Sequence, residues 1–357
     1  MTNVTTRSFP DKTIGIDLGD RISHFTIRGA NGDVTQRGKI KTTPEMFSKF
    51  LAYHQGKHIR AVYEAGTHSL WVTWLAQELG LETVVANTRE LAMISQSQRK
   101  TDRRDADLLS EFGYLRPSVL CPIQHRSRRS FAHRALVRAR ATLVAVRTDL
   151  TNAIRGLVKP TGTRVTSSVD SFHKTALQEI PKDLRAHLEP LLDTLRDIAV
   201  RIATYDKQIR KLAKECYPET QRLEQVKGVG PITSLCFVLT IEDPTRFAKS
   251  RDVGAYLGLV PKLRSSGDAA PELRITKAGD RQMRSLLVLC AQYMLGHFGE
   301  DCDLRRYGER IAAGGGKNAK KRAIVAVARK LAILLHRLWV TGAEYEPLRH
   351  ANRGLAA

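Results

Sequence analysis

The 357-residue sequence is poor in cysteine and has no long apolar run. Its five cysteines are scattered, odd in number and form no Cys-x-x-Cys pair, which argues against both a zinc site and a disulfide framework. No stretch approaches the roughly 20 apolar residues of a membrane span, and the ends carry no recognisable signal peptide or lipidation motif. These absences predict a protein of the reduced cytoplasm with no membrane attachment.

Acidic residues are also in deficit. The chain has 58 Lys and Arg against 36 Asp and Glu, which gives a formal net charge of +22. Such an excess attracts polyanions, and nucleic acid is the first candidate. The length is sufficient for two hydrophobic cores, since one domain usually takes roughly 100–200 residues.

The first 115 residues have the pattern of an α/β domain. Three strands are predicted first, and Asn31-Gly32 favours a hairpin turn between the second and third. Thr43-Pro44-Glu45 then predicts the start of a helix that runs to about Gly56. The order βββαβαβα is what a ribonuclease H-like sheet requires. The predicted strands are Lys12–Leu18, a strand around Phe25 and Ile27, Val34–Ile40, Ile59–Glu64 and Thr83–Ala86.

Four acids fall where their side chains can converge. Asp17 lies at the end of the first strand and Glu64 ends the fourth. Thr101 is a good N-cap for a helix in which Asp102 and Asp105, at i and i+3, share one face. Clustered carboxylates need a dication, and oxygen ligands suit Mg²⁺ or Mn²⁺. The alternative for the helical pair is a first turn of acids that favours the helix dipole.

A nucleotide-binding protein is the main rival for this region. Gly15-Ile-Asp-Leu-Gly19 also occurs in actin-like sugar kinases and chaperone ATPases, where Thr or Ser usually follows, but Asp20 and Arg21 follow here. Gly314-Gly-Gly-Lys317 continues with Asn318, where a phosphate-binding P-loop needs Ser or Thr. The sequence therefore disfavours nucleotide binding.

The middle of the chain predicts two basic helical arms with heptad repeats. Either a partner-free helical hairpin or a dimerising coiled coil is compatible with this pattern. The first predicted seam consists of Leu136, Leu143, Leu150 and Leu157, with Ala139, Val146 and Ala153 between them. The second consists of Leu188, Leu195, Ile202 and Ile209, with Leu191, Ile198, Tyr205 and Leu212 between them.

The C-terminal part is predicted to be helical. Val226-Lys-Gly-Val-Gly-Pro231 resembles a helix-hairpin-helix turn, whose backbone amides can face a phosphate. Ser265 and Ser266 lie in a polar loop between helical segments. A serine there can attack phosphorus if it is deprotonated, although serines beside glycine are mostly turn residues. A basic amphipathic helix near the end could lie on nucleic acid.

Taken in order, several motifs resemble the DEDD transposases of the IS110 family of insertion sequences along nearly the whole chain. The motifs are Gly15-Ile-Asp17, Tyr63-Glu-Ala-Gly66, Lys100-Thr-Asp-Arg-Arg-Asp-Ala106, Gly228-Val-Gly230, Gly258-Leu-Val-Pro261, Ser266-Gly267 and Ile275-Thr-Lys-Ala-Gly279. Two departures are Asp20 after the first acid and Ser265 before Ser266, and the second leaves the serine's register open by one position.

The resemblance implies a RuvC-like domain over residues 1–120, coiled-coil arms over 121–217, a helical transposase domain over 218–345 and a tail over 346–357. It implies that Asp17, Glu64, Asp102 and Asp105 bind metal and that Ser266 is a nucleophile. It also implies donor DNA, target DNA and an element-encoded guide, the bridge or seek RNA, as partners. A homodimer or homotetramer is the expected assembly.

Three classes of function remain open at this point. The first is an RNA-guided recombinase that uses both the acids and the serine. The second is a RuvC-like nuclease or junction resolvase that uses the acids alone, and the third is a non-catalytic nucleic-acid-binding protein. A covalent protein–DNA adduct separates the first from the second, and metal-dependent nicking excludes the third.

Overall fold

The computed structural model describes residues 9–54, 58–88, 101–262, 273–316 and 318–349. The chain forms two compact units, the first ending at Arg128 and the second beginning at Arg129. No helix in the described ranges is long and apolar enough to cross a membrane. The five cysteines are free thiols, in agreement with the predicted absence of disulfides.

The first unit is built on a five-stranded mixed sheet. The strands are β1 (Lys12–Asp17), β2 (Ile22–Gly29), β3 (Val34–Lys41), β4 (Ile59–Glu64) and β5 (Glu82–Ala86), and each strand predicted from the sequence is present within one or two residues. Their order in the sheet is β3-β2-β1-β4-β5. The first three strands are antiparallel, and β4 and β5 run parallel to β1.

Three described helices cover this sheet: α1 (Pro44–Tyr53), α2 (Ser69–Glu78) and α3 (Asp102–Leu115). The Thr43 and Thr101 side chains cap α1 and α3, as the sequence predicted. Helix α1 ends before the predicted Gly56, which lies outside the described residues. One core packs α1 and α2 against one face of the sheet, and a smaller core packs α3 on the other.

The described part of the second unit is almost wholly helical. One core joins the end of α4 to α5 and the start of α6, and a larger core joins the end of α6 to the later helices. The helices are α4 (Arg128–Val158), α5 (Phe172–Glu179), α6 (Lys182–Cys216), α7 (Glu219–Leu223), α8 (Pro231–Ile241), α9 (Asp252–Tyr256), α10 (Arg281–Leu295), α11 (Asp303–Ala313) and α12 (Ala319–Thr341).

The two predicted heptad seams differ in how well they match the residues that are buried. In α6 the whole Leu188, Leu195, Ile202 and Ile209 series is buried. In α4 the predicted seam is wrong by one residue, because Val137, Thr151 and Val158 are buried whereas Leu157 is 56% exposed. The apolar residues of α4 form a stripe along the helix that is wider than one line of side chains. The leucines of the predicted seam lie at the edge of this stripe. The burial in both helices comes from packing within the chain.

Candidate metal centre

Asp17 and Glu64 lie side by side at one edge of the sheet. They are the last residues of the parallel neighbours β1 and β4, in which Ile16 pairs with Tyr63. Both side chains are partly buried. The carboxyl ends of parallel strands meet at one edge, so this register brings the two carboxylates to the same place.

Close packing of α3 on the sheet brings Asp102, one of the other two acids, to that edge. A Cβ atom at Gly15 would lie 2.3 Å from the backbone nitrogen of Ser110, so only glycine admits the helix there. Side chains alternate along a strand, and therefore Asp17 points to the same face as Gly15. The face of β1 that carries Asp17 is thus the face that α3 covers.

Polar contacts between β2 and α3 fix the helix along its length. Thr26 donates a hydrogen bond of 2.6 Å to Asp107, and Arg28 donates one of 3.0 Å to Ser110. Arg37 also donates to Asp107, at 2.8 Å. Burial alone raises the pKa of Asp107, but the hydrogen bonds from Arg37 and Thr26 outweigh it and hold the pKa below its usual range. Asp107 therefore anchors the helix as a carboxylate.

Asp102 and Asp105 lie in the first turn of α3. Asp102 is the first helical residue, and its side chain is 69% exposed. Asp105, three residues later in the same turn, is only 5% exposed. The carboxylate oxygens of Asp17 and Asp102 come within 4.8 Å of each other. The fold thus brings together two predicted acids that are far apart in sequence. Glu64, on the adjoining strand, and Asp105, in the same helical turn as Asp102, are not among the described residues whose ligand atoms lie within 4.8 Å of one another.

The sequence analysis missed one member of this cluster, His24. It pairs directly with Asp17 across β1 and β2, and its ring offers a nitrogen within 4.8 Å of the Asp17 and Asp102 oxygens. The sequence contains a signal for this residue, because polar side chains alternate with buried apolar ones along β2. The polar residues are His24, Thr26 and Arg28, and the buried apolar ones are Phe25 and Ile27. The polar face of β2 was not recognised because the hairpin register that pairs His24 with Asp17 does not follow from the sequence.

This donor set fits a dication. Carboxylate oxygens are the ligands preferred by Mg²⁺ and Mn²⁺, and imidazole is compatible with the softer of the two. Close carboxylates are mutually repulsive, and a bound cation removes that repulsion. The described residues therefore support divalent-metal binding at this edge without identifying the metal.

Ser265 and Ser266 lie outside the described residues, but the segments on either side of them are paired. The Lys262 amide donates to the Arg274 carbonyl at 3.0 Å, and the Thr276 amide donates to the Val260 carbonyl at 2.9 Å. Two of the sequence motifs, Gly258-Leu-Val-Pro261 and Ile275-Thr-Lys-Ala-Gly279, are thus joined by an antiparallel bridge. We call these two joined segments the base, and residues 263–272 lie between them in the sequence.

The two glycines of this base permit a close crossing of the backbones. Gly258 has a φ of +68°, and a Cβ atom there would lie 2.3 Å from the Ala278 backbone. Gly279 also has a φ of +68°, and a Cβ atom there would lie 2.1 Å from the Tyr256 carbonyl oxygen. A side chain at either position would open the base.

A buried ion pair holds the end of this base. Asp280 accepts a hydrogen bond from the Met283 amide at 2.7 Å, which caps α10. Its other oxygen lies 2.5 Å from the Arg134 guanidinium, and these two side chains are 9% and 6% exposed. Burial opposes ionisation, but the Met283 amide and the Arg134 charge hold the pKa of Asp280 below its usual range. Helix α4 is thereby tied to the segment that follows the serines.

The predicted helix-hairpin-helix turn connects α7 to α8. Gly228 has a φ of +88°, and Gly230 precedes Pro231, the first residue of α8. A Cβ atom at Gly228 would lie 2.7 Å from the Tyr293 ring, so the turn packs against α10. The helix before the turn has only five residues. Phosphate binding by this turn stays a prediction.

Comparison with known families gives two matches that together span both units. Residues 14–162 match the DEDD transposase model of the IS110 group, which includes the four acids named above. Residues 220–307 match the model described as the transposase IS116/IS110/IS902 family. The second match covers the helix-hairpin-helix-like turn and the segments around Ser266.

Curated relatives agree with these matches. A putative transposase of Sinorhizobium fredii is 30% identical over 72% of this chain and 66% of its own length. The transposase for insertion sequence element IS1111A of Coxiella burnetii is 29% identical over 72% of this chain and 71% of its own. The transposase for element IS1328 of Yersinia enterocolitica is 27% identical over 78% and 82%. With matches to both halves of the chain, the protein belongs to the IS110 family of insertion-sequence transposases.

Proposed function

We propose that the chain cuts and rejoins DNA strands for its insertion sequence, with Asp17, Glu64, Asp102 and Asp105 binding Mg²⁺ or Mn²⁺ and Ser266 acting as the nucleophile. The first unit is then a ribonuclease H-like, RuvC-like domain, which its three antiparallel strands followed by two parallel strands support. The observation that carries the proposal is the approach of the Asp17 and Asp102 carboxylates to within 4.8 Å.

The chemistry is a pair of transesterifications. A dication at the carboxylates supplies charge stabilisation for the attacking and leaving oxygens. The Ser266 hydroxyl attacks the scissile phosphorus, the bond to the leaving DNA oxygen breaks, and that oxygen takes up a proton. The chain then holds the cut end as a phosphoserine. A hydroxyl of a second DNA end attacks this phosphorus, which rejoins the DNA and restores the serine.

The proposed partners are donor DNA, target DNA and an element-encoded guide RNA, and the proposed assembly is a homodimer or homotetramer. The net charge of +22 supports binding of several nucleic-acid strands. Val146 and Leu157 belong to the predicted seam of α4 and are 44% and 56% exposed, so these two positions stay accessible to a second chain.

Trapping a covalent adduct tests the proposal. Full-length protein with its copurified RNA is incubated with Mg²⁺ and end-labelled DNA carrying the element end, and then denatured. We expect a labelled protein band for the native chain and for Ser265→Ala, and none for Ser266→Ala. Metal-dependent cutting by Ser266→Ala without an adduct would contradict the serine step and support a nuclease or resolvase that uses the acids alone. Sequencing the copurified RNA tests the guide.

A further inference from the structure

His24 occupies a position that the chemistry proposed above does not use. It lies on β2, directly opposite Asp17, where that strand presents its polar side chains to α3. The next two residues on this face, Thr26 and Arg28, each bond to α3 through Asp107 and Ser110. By the same alignment, His24 faces the first turn of the helix and so Asp102.

The His24 ring lies close to both acids. Its Nδ1 atom is 3.5 Å from an oxygen of Asp102, and its side chain is 18% exposed. Nδ1 itself is shielded from solvent and has no hydrogen-bond partner among the described residues. A buried polar atom without a hydrogen-bond partner destabilises the fold unless another group satisfies it.

We propose that His24 supplies a nitrogen ligand to the cation bound between Asp17 and Asp102. This inference rests on the metal site of the proposed function and adds a ligand outside the four acids. The cation satisfies the buried nitrogen and neutralises the two carboxylates that approach it. The mixed nitrogen and oxygen donor set predicts a stronger preference for Mn²⁺ over Mg²⁺ than four carboxylates alone would give.

Manganese binding to the full-length protein, with Mn²⁺ as the probe, tests this ligand without relying on catalysis. Pulsed electron paramagnetic resonance detects a nitrogen nucleus bonded to Mn²⁺. We expect a ¹⁴N coupling in the native protein and its replacement by a ¹⁵N coupling after labelling with ¹⁵N-histidine. We expect His24→Gln to lose the coupling and to bind Mn²⁺ about tenfold or more weakly, with a smaller effect on Mg²⁺.

His68 provides the matched control. It is a second histidine of the same unit, paired with Asp20 at 3.4 Å and with the indole of Trp71 at 3.1 Å. We expect His68→Gln to keep both the nitrogen coupling and the Mn²⁺ affinity. A nitrogen coupling that persists in His24→Gln, or an unchanged Mn²⁺ affinity, would overturn the assignment. The measurement on the native protein tests the nitrogen ligand even if His24→Gln folds poorly. If the native protein shows neither a ¹⁴N nor a ¹⁵N coupling, the assignment of His24 as a ligand is also overturned.

A separate variant distinguishes failure of the ligand from failure of the site. We expect Asp17→Asn to weaken Mn²⁺ binding strongly. If Mn²⁺ binding depends on Asp17 but shows no nitrogen coupling, the proposed metal centre stands and His24 is not one of its ligands. Binding that is absent, or that does not depend on Asp17, removes both the proposed metal centre and the inference about His24.

Discussion

Arg134 and Asp280 form an ion pair that joins α4 to the N-terminus of α10, with both side chains almost fully buried. Removing one partner of a buried pair leaves an uncompensated charge, which typically costs about 3–5 kcal/mol. We expect Asp280→Asn to lower the free energy of unfolding of the second unit by that order, as measured by denaturant unfolding of the full chain. Arg134→Met is expected to lower it less, because Arg138 still lies 3.6 Å from the Asp280 carboxylate.

Two variants sharpen this test. The double change Arg134→Met with Asp280→Asn is expected to recover much of the loss, because no buried charge then remains and an asparagine side chain can still accept the hydrogen bond that caps α10. The pair of Arg306 and Asp301 is half exposed, so Arg306→Ala is expected to change stability little. Equal losses for the buried and the exposed pair would contradict the assigned role of burial.

Acid pH is expected to weaken the same pair. The pKa of Asp280 is lower in the folded chain than its ordinary 3.8, so its contribution is fully present above that value and is lost as pH falls through the folded pKa. We expect the stability difference between the native chain and Asp280→Asn to be constant above about pH 5 and to narrow below it. A stability difference between the native chain and Asp280→Asn that grows as the pH falls would contradict this prediction.

The four acids of the proposed metal centre are expected to be essential for strand exchange and dispensable for folding. Each of Asp17→Ala, Glu64→Ala, Asp102→Ala and Asp105→Ala should abolish detectable strand exchange while the circular dichroism spectrum is retained. Asp107→Ala is the matched control on α3. It loses bonds from Thr26 and Arg37 and should cost about 1–3 kcal/mol of stability, yet keep measurable strand exchange. Full recombination by Asp102→Ala with Asp105→Ala would refute the assignment.

Gly15 is expected to tolerate no side chain. In Gly15→Ala the new Cβ would lie 2.3 Å from the Ser110 backbone, so α3 must shift away from the sheet and carry Asp102 and Asp105 with it. We expect a loss of about 1–3 kcal/mol in stability and weaker Mn²⁺ binding. Gly66→Ala meets nothing within 4 Å and should leave the melting temperature nearly unchanged. Equal melting temperatures for the two variants would show that α3 accommodates the methyl group.

The strand ends and helix caps could be predicted because local chemistry determines them. Asp17 and Glu64 end apolar alternating strands, and Thr101 stands where a helix needs an acceptor for its free amides. That His24 belongs to the cluster with Asp17 and Asp102 could not be predicted in this way. It depends on a pairing register across a hairpin whose loop is longer than the tight turns with known sequence signals.

The long helices show a second limit. The heptad of α6 was predicted because its buried positions are also its most apolar ones. In α4 the buried column contains Thr151 and ends at Val158, while Leu157 beside it is more apolar and exposed. Side-chain hydrophobicity identifies the stripe of such a helix, but the neighbouring helix decides which column of the stripe is buried.

Insertions and deletions are constrained unevenly around the metal centre. Residues 24, 26 and 28 of β2 match successive turns of α3, and Phe25 and Ile27 enter the opposite core. Losing or gaining one residue within this stretch would turn the aromatic and aliphatic side chains toward the helix and the polar ones away from it. Insertions and deletions in related sequences should therefore occur in the turn around Asn31 and Gly32, which lies beyond Arg28, the last residue of β2 aligned with α3. They should be absent between His24 and Arg28.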